Sequence, residues 1–161
     1  IGVEPDYLAQ KAQELGDNPE IILAGRRVSD GMGSYVASDI IKTMIKNDIK
    51  IKSAEILILG ITFKENCPDV RNTKAVDVIS SLKEYETNIT VYDPWASSEE
   101  VMNEYGINSE NVLPNKKFDA VVLAVAHNEF LELDVTSLKR EKGVIYDVKS
   151  ILPKDIVDGR L

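Results

Sequence analysis

The sequence predicts an α/β fold in which a parallel sheet carries helices on both faces, preceded by a long helical arm. After Lys50, short apolar segments alternate with segments of helical periodicity, which is the pattern of parallel strands joined by helical crossovers. Before that point, residues 1–50 hold apolar residues at helical spacing and no strand-like segment. We therefore expect a helical arm over residues 1–50 and an α/β domain over residues 51–161.

The arm is predicted to contain two helices. Pro5 suits the first turn of one helix and Gly16 its end, whereas Asn18 offers an N-cap for the second helix and Pro19 its first turn. Apolar residues recur every four positions along the second helix, which runs to about Asn47: Val28, Met32, Val36, Ile40 and Met44. Such a stripe either covers the adjacent sheet or meets a second copy of the chain.

Four strands and three helices are predicted in the α/β domain. The strands cover 54–59, 88–93, 120–125 and 144–147, and the helices cover 73–82, 97–105 and 134–141. In open parallel sheets, ligands bind beyond the carboxyl ends of the strands. The candidate binding segments are therefore those that follow the strands: 60–73, 93–96, 126–130 and 147–150.

The segment that follows the first strand, over residues 60–73, is long for a strand-to-helix connection. Gly60 is its only glycine, so it matches neither the Gly-x-Gly-x-x-Gly dinucleotide motif nor the Walker A motif. Basic residues lie close to the predicted start of the next helix: Lys64, Arg71 and Lys74. If Asn72 or Thr73 caps that helix, its free N–H groups and these cations suit a phosphate; the alternative is that the basic residues are simply solvated.

Other candidate residues lie at or near the predicted strand ends. Asp93 either binds a ribose hydroxyl or forms a turn with Pro94, and the missing glycine motif favours the turn. Cys67 would need a base such as His127 to act as a nucleophile, and we instead expect His127 to hydrogen-bond within its own loop. Lys149 either reaches an anion at this edge of the sheet or remains a surface lysine.

Composition excludes several classes of function. The net charge of −8 disfavours nucleic-acid binding, which needs a basic face, and no apolar run is long enough to span a membrane. The single cysteine, Cys67, forms no internal disulfide, which fits a cytoplasmic protein, and one histidine with one cysteine argues against a built-in metal site. Because the first residue is Ile1, we expect the chain to be part of a longer protein.

The long loop also carries a specific motif. Residues 58–74 read Ile-Leu-Gly-Ile-Thr-Phe-Lys-Glu-Asn-Cys-Pro-Asp-Val-Arg-Asn-Thr-Lys. Other segments match the same pattern: 24–28, 30–32, 91–95, 124–127 and 146–149. Together these segments resemble the UDP-glucose/GDP-mannose dehydrogenase family, most closely its branch that acts on UDP-N-acetyl-hexosamines. The resemblance covers nearly the whole chain and implies the family's C-terminal UDP-binding domain, which has a Rossmann-like fold.

The start of the chain resembles the tail of that family's nucleophile motif. Residues 1–5, Ile-Gly-Val-Glu-Pro, match the end of Gly-Gly-His-Cys-Ile-Gly-Val-Asp-Pro. The chain is therefore expected to begin just after the catalytic cysteine, without the N-terminal NAD-binding domain. Glu4 stands where the family has an aspartate thought to assist the hydrolytic water, and its extra methylene changes the geometry there.

The resemblance implies an NAD-dependent UDP-sugar 6-dehydrogenase that serves polysaccharide biosynthesis. In that reaction the C6 alcohol becomes an aldehyde, is trapped on cysteine, is oxidised to a thioester and is hydrolysed to a carboxylate, while two NAD molecules accept the hydrides. Phe63, Lys64 and Lys149 match positions that contact the UDP-sugar, and Arg71 matches a position that reaches NAD. The long helix matches the one that links the domains and forms a homodimer. This chain alone is expected to be inactive.

Two other functions share parts of the pattern. A signalling receiver domain needs a phospho-accepting aspartate at the end of the third strand, where this chain has Ala126-His127-Asn128, so that class is excluded. A stand-alone nucleotide-binding or dimerisation module without chemistry remains the alternative. It differs only in whether a catalytic domain precedes Ile1 in the parent gene. The identity of the sugar also stays open among the N-acetylglucosamine, N-acetylgalactosamine and mannosamine forms.

Overall fold

The computed structural model describes residues 4–16 and 19–161, and the side chains of residues 4–6 and of Arg26 lie outside the described part. The chain divides into two compact units, Ile1–Met32 and Gly33–Leu161. Helix α1 spans Glu4–Glu14 and helix α2 spans Glu20–Lys46, as the sequence predicts. Gly16 follows α1 with a positive φ of 83°, which suits a residue without a side chain. The N-cap predicted at Asn18 lies outside the described residues.

The second unit is built on a parallel sheet of five strands in the order β2-β1-β3-β4-β5. The strands are β1 (Glu55–Leu59), β2 (Asn88–Tyr92), β3 (Phe118–Leu123), β4 (Lys139–Asp147) and β5 (Gly159–Arg160). The helices that follow α2 are α3 (Ala75–Lys83), α4 (Ser98–Tyr105) and α5 (Glu129–Glu132). The predicted α/β class is confirmed, and the central strands are apolar because both faces of the sheet are covered.

The helix predicted over residues 134–141 is wrong for most of its length. Only Val135–Leu138 is helical, as a short 3₁₀ turn, and β4 begins at Lys139. The Asp134 carboxylate caps the start of this turn by accepting hydrogen bonds from the N–H groups of Thr136 and Ser137. The chain then pairs at once with β3. Helix α5 and strand β5 are too short to leave a periodic pattern in the sequence.

The second half of α2 belongs to the α/β unit. Val36, Ile40 and Met44 are at most 2% exposed, and Asp39 accepts a hydrogen bond of 2.7 Å from the hydroxyl of Tyr146 in β4. The compact unit therefore begins earlier than the boundary predicted at residues 50 and 51. It also follows that this part of the predicted apolar stripe is covered by its own chain and is not available to a second copy.

Strands β1 and β3 are neighbours at the centre of the sheet, and the chain runs outward from them on opposite sides. In sheets of this type, ligands bind beyond the carboxyl ends of the strands, near the point where the strand order reverses. Within residues 4–16 and 19–161, no helix is both long enough and apolar enough to cross a membrane.

Candidate functional site

Two loops approach each other closely at the carboxyl edge of the sheet, one after β1 and one after β3. Gly60 follows β1 with a φ of +91°, and a Cβ atom there would lie 2.5 Å from the Cβ of Val125, beyond β3. Contacts this short do not occur between real side chains, so only glycine fits. Gly60 thus brings residues 60–73 against the segment that follows β3. We call residues 60–73 the β1 loop.

The β1 loop is held by hydrogen bonds along its length. The Phe63 N–H donates to the Asp69 carbonyl at 2.7 Å, which closes the loop on itself. At its end, the Thr73 hydroxyl donates to the Thr62 carbonyl at 3.1 Å. The Tyr105 hydroxyl of α4 donates to the Val70 carbonyl at 2.7 Å. A long loop with these ties has a defined shape, as a binding loop requires.

Asp93 directly follows β2, the outermost strand on its side of the sheet, and is fully buried. Its Oδ2 accepts from the N–H groups of Ile61 and Thr62 at 2.7 and 3.1 Å, and its Oδ1 accepts from those of Trp95 and Ala96 at 2.8 and 3.1 Å. Burial raises the pKa of the Asp93 carboxyl, but the hydrogen bonds outweigh burial and hold the pKa below its ordinary value. Both oxygens are engaged, so the turn interpretation is confirmed over ribose binding.

His127, from the segment after β3, is also fully buried. Its Nε2 lies 3.1 Å from Asp93 Oδ2 and 3.1 Å from Thr62 Oγ1, while its Nδ1 accepts the Asn66 N–H at 2.9 Å. Both ring nitrogens therefore have partners in other segments. The structure gives no support to a Cys67–His127 catalytic pair, and Cys67 is a free, half-buried thiol.

The start of α3 differs from the prediction. Lys74 occupies the N-cap position and its side chain makes no capping hydrogen bond, whereas Asn72 has a left-handed φ of 58° and does not cap the helix. The Thr73 hydroxyl accepts the N–H of Ala75 at 3.3 Å, a long contact. Asn72 was the wrong candidate because its left-handed backbone turns the chain before the helix begins.

Two of the three basic residues in this region are paired with acids. Arg71 donates from Nε and Nη2 to the two carboxylate oxygens of Asp69, at 2.9 and 2.8 Å. These side-chain hydrogen bonds lower the pKa of Asp69 to about 2. Lys74 lies 3.2 Å from Asp77. Arg71 remains 76% exposed, so its outer face is open to solvent.

The ammonium groups of Lys64 and Lys149 are exposed and make no hydrogen bond or ion pair with the residues that the structure describes. Lys64 lies in the β1 loop and Lys149 follows β4, so both belong to the carboxyl edge. Phe63, beside Lys64, is 45% exposed, although burying an aromatic ring is favourable. An uncommitted lysine beside an exposed ring, with a second uncommitted lysine elsewhere on the same edge, suits an anion carrying an apolar part.

Asp147 fixes the segment that carries Lys149 and has no counterpart in the sequence-based expectations. It is fully buried, and its two oxygens accept the N–H groups of Lys149 at 3.0 Å and Leu152 at 2.7 Å. Asp93 and Asp147 each stand at a strand end and bind the backbone of the following loop. The signal in the sequence was an aspartate at a strand end, which was interpreted as a turn residue for Asp93 but was not considered for Asp147.

A concavity of about 570 Å³ lies between the β1 loop and α4. Its lining includes Arg71 but also three carboxylates, those of Asp69, Glu100 and Glu104. The net negative charge makes this concavity unsuitable for a diphosphate. The position of the remaining predicted site residue, Glu4, is known only as the first residue of α1, since its side chain lies outside the described part.

Comparison with known proteins places this geometry in a family. Residues 57–154 match the model of the UDP-glucose/GDP-mannose dehydrogenase family, UDP binding domain. The chain is 48% identical to UDP-N-acetyl-D-glucosamine 6-dehydrogenase of Pseudomonas aeruginosa, matching 100% of this chain and 39% of that protein. It is 43% identical to Protein CapL of Staphylococcus aureus, over 96% of this chain and 37% of that protein.

Solved structures show the same fold at lower identity. The crystal structure of NDP-N-acetyl-D-galactosaminuronic acid dehydrogenase from Methanosarcina mazei superposes with a TM-score of 0.79 at 21% identity, covering 94% of this chain and 34% of that one. The chain thus spans well under half the length of the relatives it matches. With a family match over most of its length and the long motif of the β1 loop, the chain belongs to the UDP-glucose/GDP-mannose dehydrogenase family and contains its UDP-binding domain.

Proposed function

We propose that this chain is the UDP-binding part of an NAD-dependent dehydrogenase that oxidises the C6 alcohol of a UDP-N-acetyl-hexosamine to a carboxylate for polysaccharide biosynthesis. The observation that carries the proposal is the pair of unpartnered cations, Lys64 and Lys149, at the carboxyl edge of a sheet of this family. The relatives named for UDP-N-acetyl-D-glucosamine support the choice of sugar class. The reaction itself needs the part of the protein that the relatives have beyond this chain.

Each proposed contact follows from the chemistry of its side chain. An ammonium group acts as a point charge on a diphosphate, and Lys64 and Lys149 supply two such charges from loops on separate strands. The exposed ring of Phe63 offers an apolar surface to the nucleoside or the sugar. Glu4, as the counterpart of the family aspartate, is proposed to assist the hydrolytic water with altered geometry.

NAD, which would accept the hydrides, is proposed to be held mainly by another domain of the whole protein. The β1 loop has no glycine-rich dinucleotide motif, so the fit of NAD to this chain is limited to Arg71. The Arg71 guanidinium is exposed, and Asp69 engages its Nε and Nη2 atoms but not its Nη1 atom. A guanidinium held in this way can reach a phosphate of a cofactor bound opposite.

The homodimer is proposed to form through the arm, on a different set of residues from the buried stripe. Ile21, Val28 and Tyr35 of α2 recur every seven residues and are 89%, 68% and 58% exposed. Apolar residues at this spacing are typical of helices that pair with each other.

Calorimetric titration with UDP, and separately with NAD, tests the proposed binding function. We expect UDP to bind this chain and NAD not to. Lys64→Ala should weaken UDP binding by roughly ten- to a hundredfold, since a charge-assisted hydrogen bond contributes about 1.5–3 kcal/mol. Lys142→Ala is the matched control, because Lys142 is an exposed lysine of β4 near the opposite, amino edge of the sheet. NAD binding without any response to UDP would contradict the proposal.

A further inference from the structure

We propose that His127 is a positioning residue that holds the Lys64 segment of the β1 loop, and that it does so as a neutral imidazole protonated on Nε2. The proposal rests on the proposed function in one respect, which is the assignment of Lys64 to the diphosphate of UDP. The restraint on the β1 loop itself depends only on the contacts of His127 within this chain.

The partner of Nδ1 fixes the protonation state of that nitrogen. The backbone N–H of Asn66 points at Nδ1 with a nitrogen-to-nitrogen distance of 2.9 Å. A backbone amide can only donate, so Nδ1 must offer a lone pair. A proton on Nδ1 would set two N–H groups against each other in a site that water does not reach, because the His127 side chain is fully buried.

The partners of Nε2 require the opposite state. Asp93 Oδ2, a carboxylate oxygen, lies 3.1 Å away and can only accept. Thr62 Oγ1 is also 3.1 Å away, and its one hydrogen is directed to the Lys64 carbonyl at 3.1 Å, so this hydroxyl too has only a lone pair to offer. Nε2 therefore donates to both oxygens. Taken together, the two nitrogens select a single tautomer without a positive charge.

The contacts of this tautomer fix the backbone on both sides of Lys64 along the chain. On one side, Thr62 accepts from His127 and donates to the Lys64 carbonyl. On the other side, Asn66 has a left-handed φ of 53°, its N–H is held by His127, and its side-chain oxygen accepts the Asn128 N–H at 3.0 Å. The tip of the β1 loop is thereby attached to the segment that carries His127.

Aromatic rings hold the imidazole in this orientation. The Trp95 ring is stacked on it at 6.3 Å with an interplanar angle of 19°, and the Phe130 ring meets it edge-on at 5.4 Å. The Trp95 indole N–H is in turn bound by the Glu129 carboxylate at 3.1 Å. Rotation of the imidazole would lose both the ring contacts and the hydrogen bonds. His127 therefore forms a fixed link between Asp93 and Asn66 of the β1 loop.

Two substitutions separate the two nitrogens. His127→Asn keeps an acceptor close to the position of Nδ1 and loses the Nε2 donor, whereas His127→Gln keeps a donor close to Nε2 and loses the Nδ1 acceptor. We expect the Asn66 amide to exchange with solvent about tenfold faster in H127Q than in the native protein, and at nearly the native rate in H127N. Equal exchange rates in the two variants would overturn the proposal.

The imidazole nitrogens of the native protein give a test that needs no variant. Nitrogen-15 NMR at neutral pH should show Nε2 protonated and Nδ1 bare. A proton on Nδ1, alone or in an imidazolium, would overturn the proposal even if both variants failed to fold.

UDP titration then separates this inference from the proposed function. UDP affinity should fall about tenfold in H127Q, and change little in H127N, if the hold on the loop positions Lys64. A loss of affinity in Lys64→Ala with native affinity in H127Q would overturn the positioning role and leave the proposed function intact. Native UDP affinity in Lys64→Ala would instead contradict the proposed function. The tautomer of His127 and the exchange rate of the Asn66 amide would then still show whether His127 restrains the β1 loop.

Discussion

Replacing Gly60 with alanine tests whether the close approach of two loops at the carboxyl edge requires glycine. The new methyl group would sit 2.5 Å from the Cβ of Val125 and 3.0 Å from its backbone nitrogen. Neither atom is the free end of a flexible side chain, so the loops themselves must separate. Gly60 also has a φ of +91°, which an alanine adopts only with strain.

The expected cost has two parts. Left-handed backbone costs an alanine roughly 1–2 kcal/mol, and forcing a methyl group into a filled site costs roughly 1–3 kcal/mol. Gly60→Ala should therefore lower the free energy of unfolding by about 2–5 kcal/mol, which is a large share of the roughly 5–15 kcal/mol of a typical domain. For a chain of this size the melting temperature should fall by about 2–4 °C per kcal/mol.

Gly106 supplies the matched control for thermal or denaturant unfolding. It has a φ of +65° at the end of α4, but a Cβ atom there would meet nothing within 4 Å. Gly106→Ala should therefore show the cost of a left-handed backbone without a contact. A larger loss in Gly60→Ala reports the contact with Val125 together with the more strained φ of Gly60. If both variants lost the same stability, the close approach would not be what requires glycine at position 60, and the reasoning would be refuted.

Two further predictions concern acid stability and assembly. Asp93→Asn should lower stability at neutral pH by about 1–3 kcal/mol, because buried N–H groups lose their acceptor. The folded-state pKa of Asp93 is lowered, so its contribution is present above the ordinary value of 3.8 and is lost as the pH falls through the lower folded-state value. The variant and native curves from acid unfolding should therefore converge below that pH; curves that stay parallel would contradict this role. Val28→Lys should convert a dimer to monomer in sedimentation equilibrium, whereas Val112→Lys, at a valine that is 78% exposed in a loop, should not. A native chain that sediments only as a monomer would argue against the proposed interface.

The sequence predicted the parts of the fold that repeat with a period. Strands such as β1 and β3 are nearly continuous apolar runs bounded by turn residues, and α2 is a long amphipathic stretch, so all were predicted within a few residues. The helix predicted over 134–141 was wrong because the helical turn ends where β4 pairs with β3, a contact between residues far apart in sequence.

The location of the candidate site could be predicted from the sequence, but the hydrogen bonds that join its segments could not. The rule that ligands bind beyond strand ends pointed to the β1 loop and to Lys149. The hydrogen bonds of His127 join segments separated by 34 to 65 residues, and no local pattern encodes such a connection. The acceptor role of Asp147 was missed for a different reason, since an aspartate at a strand end reads equally well as an exposed turn residue.

The buried carboxylate of Asp93 also determines how this edge can recognise a nucleotide. In dinucleotide-binding folds, the amide groups at the first strand-to-helix turn remain free and bind the pyrophosphate directly. Here the amides of Ile61 and Thr62, just after β1, already bind an anion that the protein itself supplies. Under the proposed function, a diphosphate at this edge is bound by the exposed ammonium groups of Lys64 and Lys149. Such recognition is ionic and exposed to solvent. Added salt should therefore weaken it more than it weakens binding by enclosed backbone amides.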